Sequence, residues 1–284
     1  VSIQTLIQAL SSGALLGCFY ALMALAFSLI FGVTRSLNLA HGELIILGGY
    51  LGYWLWSGSG LHPLLLVPVA AVALLPLGLL WQWFLNRTPE PKELNSLVLT
   101  FGLSLLLQNV MVALWHGDYR LIASASLTRS LTLGEVRFNQ GRILVAAAAL
   151  AVVGTLYLAL TRTRWGRAVR ATSLDRDAAA LLGINVDHAT QTTFLLAMGL
   201  AGAAGVLFAT LHYLSPTAGI ELTLLAVILT LWAGAGGLGN VLAAGILLGM
   251  VETVTVARAG PGWREPMVGL ALLATLLVRR RKHS

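Results

Sequence analysis

Few side chains in this sequence could do chemistry, and their spacing decides what kind. Asn38, His41 and Glu43 stand together in Leu37-Asn-Leu-Ala-His-Gly-Glu43, at the head of an apolar run. His41 and Glu43 are two apart, so they fall on different faces of a helix, and no second histidine lies near enough for a metal site. Two readings fit them. They are polar groups that hydrogen-bond a helix start, or they line or gate a pathway, since ionisable groups at membrane depth are costly and placed for function. Glu221 and Glu252 carry the same pair of readings. Glu221 stands at a helix start, where a carboxylate meets the dipole favourably, and Glu252 lies deeper, as a buried polar contact. Gly234-Ala-Gly-Gly-Leu-Gly-Asn240 is rich in glycine but has no strand before it and no lysine after it. A tight helix–helix turn fits it better than a phosphate cradle, and the chain has no Gly-x-x-x-x-Gly-Lys-Ser/Thr loop. Nothing here is enzymatic.

The other polar concentration is Arg162–His188, with five arginines and three aspartates. Residues 143–161 before it and 188–220 after it hold no Asp, Glu, Lys or Arg. Charge between two long apolar segments reads as a loop outside the bilayer, and its arginine excess places it on the cytoplasmic side. Asp175 or Ser173 can cap a short helix over residues 176–182, and Gly183 supplies the stop. The arginines alone could be the orientation signal. A capped, partly apolar helix needs something to pack against, and a cytoplasmic partner supplies it.

Composition agrees. The 284 residues are 57% hydrophobic and 10% charged, against about 25% charged in soluble domains. The formal charge of +7 does not imply nucleic acid, because the basic residues sit in short loops and in Arg279-Arg-Arg-Lys282. Cys18 is the single cysteine, in an apolar run, so it makes no disulfide within the chain and packs as a small apolar residue. The first 34 residues are uncharged and lack the basic start of a cleavable signal, which makes them a membrane helix.

The elements that must position these residues are apolar segments near 6–32, 37–56, 62–85, 96–115, 143–161, 190–211, 221–235, 241–257 and 263–279. The fold class is all-α, one polytopic transmembrane domain over 1–284 with roughly 8–9 spans, some discontinuous or re-entrant. Gly13 and Gly17 in the first segment allow close helix approach. Pro216 and Gly219 break the chain before the seventh segment, and Gly236 and Gly237 break it after. Both segments around those glycines are shorter than the ~20 residues of a span, the pattern of helices that break at membrane depth and line a pathway. Residues 116–142 form an external excursion, with a small hairpin over 131–139 around Gly134. Its four arginines pull against that side, but parity with the 162–189 loop keeps it outside. The N-terminus is then external and the C-terminus cytoplasmic.

Asp177-Ala-Ala-Ala-Leu-Leu-Gly183 is similar to the Glu-Ala-Ala-x-x-x-Gly loop of bacterial ABC importer permeases, with Asp for Glu. Phe31-Gly-Val, Leu37–Glu43, Trp165-Gly-Arg-Ala-Val-Arg170 and Leu181-Leu-Gly-Ile-Asn185 together resemble the LivH-like permeases of branched-chain amino acid importers, in order and across essentially the whole chain. The chain departs in lacking the Ile-x-Leu-Pro ending of the general loop and in the exact glycines of 233–240. The resemblance implies a permease subunit of the bacterial cytoplasmic membrane, with Ser173, Asp175, Asp177, Ala178, Ala179, Leu182, Gly183, Ile184 and Asn185 as the ATPase-coupling helix. It implies two cytoplasmic ATPases, a second homologous permease and a soluble substrate-binding protein as partners. No cofactor belongs to this chain; ATP and magnesium go to the ATPases. Asn38, His41, Glu43, Pro216, Gly236, Gly237 and Glu252 are the pathway or gating candidates. The solute would be a branched-chain or other hydrophobic amino acid, with urea and amides the alternatives within the branch. An ion-driven carrier would want acidic residues in two related halves, and a lipid-modifying enzyme would want a denser cluster than Asp175-Arg-Asp177.

The orientation is testable by labelling. An Arg167→Cys variant should react with an impermeant maleimide only from the cytoplasmic side, and labelling of intact cells from outside would invert the topology.

Overall fold

In lipid, a long uncharged run must satisfy its backbone internally, and for a single segment that means a helix. The computed structural model describes residues 3–89, 91–124, 127, 129–133, 136–234, 238–264, 266–271 and 273. Helix α1 (Ile3–Thr34) has 32 residues, about 48 Å at the helical rise. After it come α2 (His41–Ser59), α3 (Pro63–Asn86), α4 (Lys92–Trp115), strands β1 (Ser130–Leu133) and β2 (Val136–Asn139), and α5 (Gln140–Arg162). The charged stretch folds as α6 (Arg164–Leu174) and α7 (Arg176–Leu181); then follow α8 (Val186–Leu211), α9 (Gly219–Ala233), α10 (Leu238–Ala259) and a 3-10 turn, Pro261–Trp263. Among the described residues, six helices are long and apolar enough to cross a membrane, and the 15-residue α9 is a shorter apolar helix. The all-α polytopic fold is as expected, with about six or seven apolar helices against the 8–9 spans read from the sequence.

The two ends of α1 separate the two polar excursions. Near its start, Gln8 Nε2 donates to the Arg137 carbonyl, and Gln8 Oε1 accepts from Arg137 N at 2.8 Å, which ties the β1–β2 hairpin there. Past its end, the Arg35 guanidinium donates to the Ser173 carbonyl at 2.8 Å, in the charged loop. Hairpin and charged loop therefore lie at opposite ends of one spanning helix.

The α1 and α8 helices form the buried centre, and α10, α2 and α3 pack on them. Gly13 and Gly17 of α1 face Gly249 and Gly245 of α10, so two small-x-x-x-small stripes run antiparallel with backbones touching; a Cβ at Gly17 would strike the Gly245 carbonyl and Ile246 Cα. In lipid this close packing replaces the hydrophobic drive that water would give.

Two boundaries differ from the sequence expectation. The second helix begins at His41 rather than near 37, because residues 35–38 are irregular and residues 39–40 form a turn before it, with His41 N donating to the Asn38 carbonyl at 3.3 Å. The segment expected near 241–257 is the 22-residue α10, long enough to span: its glycines serve helix packing and do not interrupt it. Gly234 takes φ +60 at the end of α9, while Gly236, Gly237, the hairpin turn at Gly134 and the tail Arg279–Lys282 lie outside the described residues.

Gly249→Leu should disrupt the α1–α10 seam and lower stability by about 1–3 kcal/mol, the usual cost of overpacking. Gly154→Ala, where a Cβ meets nothing within 4 Å, should be close to neutral. Thermal unfolding of the two variants in detergent compares them directly.

Candidate functional site

Two helices start inside the protein rather than at its edge. His41, the first residue of α2, is 1% exposed and its Nε2 lies 3.2 Å from the Met23 carbonyl, so the ring donates from Nε2. Met23 is eleven residues above the end of α1, about 16 Å along the helix. The α8–α9 linker comes back from the other end: Ile122 N donates to the Ala209 carbonyl, and Arg120 and Leu214 exchange backbone bonds of 3.2 and 2.7 Å with the excursion. The starts of α2 and α9 then meet. A Cβ on Gly42 would collide with the Gly219 carbonyl, and one on Gly219 would come within 2.7 Å of Glu43 Cδ. Only glycine allows this approach at either position.

Hydroxyl groups hold the junction together. Thr223 Oγ1 accepts from Gly42 N at 2.8 Å and reaches the Leu39 and Gly219 carbonyls, both at 3.2 Å. On the other side, Thr100 Oγ1 of α4 accepts from Leu39 N at 3.2 Å and lies 3.4 Å from the Leu37 carbonyl. Ser104, one turn along, donates to the Glu43 carboxylate. Asn38 closes a local turn, its Oδ1 accepting from Ala40 N at 3.1 Å. Two buried polar atoms, Asn38 Nδ2 and Glu43 Oε2, have no partner among the described residues. The Glu43 carboxylate also sits in the first turn of α2 and against the start of α9, where two helix dipoles favour negative charge.

Asn38, His41 and Glu43 thus lie at the start of α2, against Gly219 of α9; Pro216 is buried in the linker three residues before Gly219. His41 and Glu43 point apart as their spacing requires, His41 toward the Phe27 ring and Glu43 toward α4. Glu252 belongs to a separate cluster. Its carboxylate accepts from Tyr20 Oη at 2.7 Å and from Arg264 Nε at 2.6 Å, and Arg264 also lies 3.3 Å from Glu221. One guanidinium so binds the first turn of α9, α10 and, through Tyr20, α1. Arg264, Tyr20, Thr100, Ser104 and Thr223 were not foreseen as a group. Arg264 carried a signal, as a lone cation at the head of an apolar segment twelve residues after a buried glutamate.

In the charged loop, Thr163 caps α6 and Asp175 caps α7, its Oδ1 accepting from Asp177 N at 3.0 Å and Ala178 N at 2.9 Å. Ser173 lies within α6 instead. Gly183, at φ +80, ends α7: Gly183 N donates to the Ala180 carbonyl and Ile184 N to the Ala179 carbonyl, the paired bonds of a Schellman stop. Asn185 then caps α8. Ala179 packs inward at 2% exposure, while Leu174, Leu181 and Leu182 stand 80%, 89% and 82% exposed.

Arg264→Met should be more damaging than Glu252→Gln. It strands a carboxylate that is 4% exposed, a loss of about 3–5 kcal/mol for a broken buried pair. Adding Glu252→Gln to Arg264→Met should recover part of that loss in detergent unfolding; an additive double variant would show that the groups do not couple.

A family model described as branched-chain amino acid transport system / permease component matches residues 9–277. The high-affinity branched-chain amino acid permease LivH of Escherichia coli (strain K12) is 27% identical, over 96% of this chain and 92% of its own length. BraD of Pseudomonas aeruginosa, described in the same terms, is 26% identical, over 96% and 94%. LsrC, an autoinducer 2 import permease of Escherichia coli (strain K12 / DH10B), is 27% identical, over 98% and 79%. No solved structure matches. Matched along most of its length and built of apolar spanning helices, the chain belongs to the branched-chain amino acid transport permease family and is a multi-pass membrane protein.

Proposed function

We propose that this chain is the membrane subunit of an ABC importer carrying branched-chain or other hydrophobic amino acids across the bacterial cytoplasmic membrane. Two cytoplasmic ATPases, which hold ATP and magnesium, would grip the α6–α7 loop. A second permease chain and a soluble binding protein complete the assembly, and the C-terminus is cytoplasmic. One observation carries the docking role: three leucines stand more than three-quarters exposed on a short loop whose backbone is capped at both ends. Such a loop is rigid enough to transmit force, and its apolar surface is large enough to want cover.

The path of force follows the contacts. Movement at Ser173 pulls on Arg35, Arg35 begins the short run 35–40, and that run ends in the junction of α2 with α9. Asn38, His41, Glu43 and Pro216 are the gating candidates at or near the two helix starts, and Gly236 and Gly237, between α9 and α10 in sequence, remain candidates outside the described residues. Glu252 acts farther along, by holding Arg264 against α9. Rigid-body motion of packed helices is the usual form of such switching. LivH and BraD support an amino acid as cargo. The likeness to LsrC supports a second reading, a small polar solute that is not an amino acid.

Reconstitution with candidate ATPases and binding proteins, tested against amino acids, amides, urea and a sugar-like solute, decides the cargo. Within it, Leu181→Arg and Gly183→Val should each weaken ATPase retention about tenfold, or 1.4 kcal/mol, and cut uptake while the permease still reaches the membrane. Unchanged uptake in both variants would remove the docking role.

A further inference from the structure

A wide recess of about 890 Å³ opens beside the charged loop; Ser173 and the exposed Leu174 line it, while Leu181, Leu182 and the residues of the junction do not. The ends of α1, α3 and α6 and the starts of α4, α7 and α8 enclose it. Arg176 on its wall is paired with Asp187 at 3.2 Å, so those two charges answer each other. Arg35 lines it too, and meets no carboxylate among the described residues; its guanidinium donates to a carbonyl, which leaves its positive charge unbalanced. Thr172 is 3% exposed and lines the same recess, and its buried hydroxyl has no partner among the described residues. A cation and a hydroxyl without a partner among the described residues, in an open recess of mixed polar and apolar lining, suit an anion that carries several acceptor oxygens beside an apolar part.

The recess stands at the height of the membrane surface. Arg87 lies over the Trp83 ring at 3.9 Å, an aromatic and basic pair of the kind that marks a headgroup region, one residue past the recess residues Leu85 and Asn86. Its side wall opens toward lipid. The α3 helix packs on α8 and α2, and α4 packs on α2, but the two make at most marginal contact with each other. Leu80 and Trp83 on α3, and Leu94 and Val98 on α4, near the recess ends of those helices in sequence, are exposed.

We propose that the recess seats one anionic phospholipid, its phosphodiester held by Arg35 and Thr172 and its acyl chains lying between α3 and α4. A basic pocket between spanning helices has the chemistry for such a headgroup. Because Arg35 also grips the α6–α7 loop through Ser173, the bound lipid stiffens the link between that loop and residues 35–40. The lipid site rests on the chain's being embedded in a membrane and is independent of the cargo; it shares Ser173 and Leu174 with the docking loop, but not Leu181 or Gly183, at which the docking role is tested.

Native mass spectrometry of the full chain, offered equal phosphatidylglycerol and phosphatidylcholine in detergent, tests it. One phosphatidylglycerol should be retained with about fivefold preference, the worth of one interfacial arginine. Arg35→Gln and Thr172→Val should each abolish or sharply reduce that preference, while Arg167→Gln, outside the recess, should keep it. Should Arg35→Gln fail to fold, Thr172→Val decides, because it preserves shape and charge. Equal retention of the two lipids, an unchanged preference in Thr172→Val, displacement of the lipid by inorganic phosphate alone, or a second protein chain filling the α3–α4 gap in the assembled complex would each overturn the proposal. None of these outcomes touches the ATPase-docking test, so the two can fail separately.

Discussion

A backbone group released where a helix stops inside a bilayer has no water to turn to, and every such group must find a partner in the protein. This chain starts two helices, α2 and α9, at depth and sets their first turns against one another. The freed groups of residues 37–42 are met by two threonines from different helices, Thr100 on α4 and Thr223 on α9, and Gly42 and Gly219 let the two starts touch. The remaining architecture serves that arrangement. Helices α1 and α8 deliver the chain to the breaks, α10 braces α1 through facing glycines, and Arg264 pins the start of α9 from the hairpin side.

Such a junction is stable yet able to change. Its ties are single hydroxyl contacts of 2.8–3.4 Å, each weak beside the packing of a whole helix. It also keeps two buried polar atoms without a partner among the described residues, which makes the closed arrangement less than fully satisfied. The charged loop lies at the end of α1, joined to the junction by the short run 35–40, which is tied to the loop through Arg35 and to α4 through Leu39.

Much of the fold was legible because lipid imposes simple rules. Long uncharged runs announced the spanning helices, and the alternation of small residues at Gly13 and Gly17 announced a close neighbour. The cap at Asp175 and the stop at Gly183 are local chemistry, decided within a few residues, so they could be read without knowing the fold. What escaped was non-local. The start of α2 moved to His41 because its first turn depends on Thr223 and Met23, far away in sequence. The span of α10 looked too short because its start was set at residue 241, after the glycine-rich stretch, whereas the helix already begins at Leu238. Arg264 joined Glu221 and Glu252 through a turn that no periodicity could foretell, and the recess beside Arg35 is made of six elements at once.

The hydroxyl of Thr223 is the most direct point at which to test the junction. Thr223→Val keeps the size of the side chain but leaves Gly42 N and the Leu39 carbonyl without it, whereas Thr223→Ser keeps the oxygen. Unfolding in detergent should show the valine variant weakened by about 1–3 kcal/mol, the cost of a buried polar group left unpaired, and the serine variant close to the parent. A valine variant as stable as the parent would mean that the two helix starts do not depend on one another, and the account of the fold built on them would be wrong.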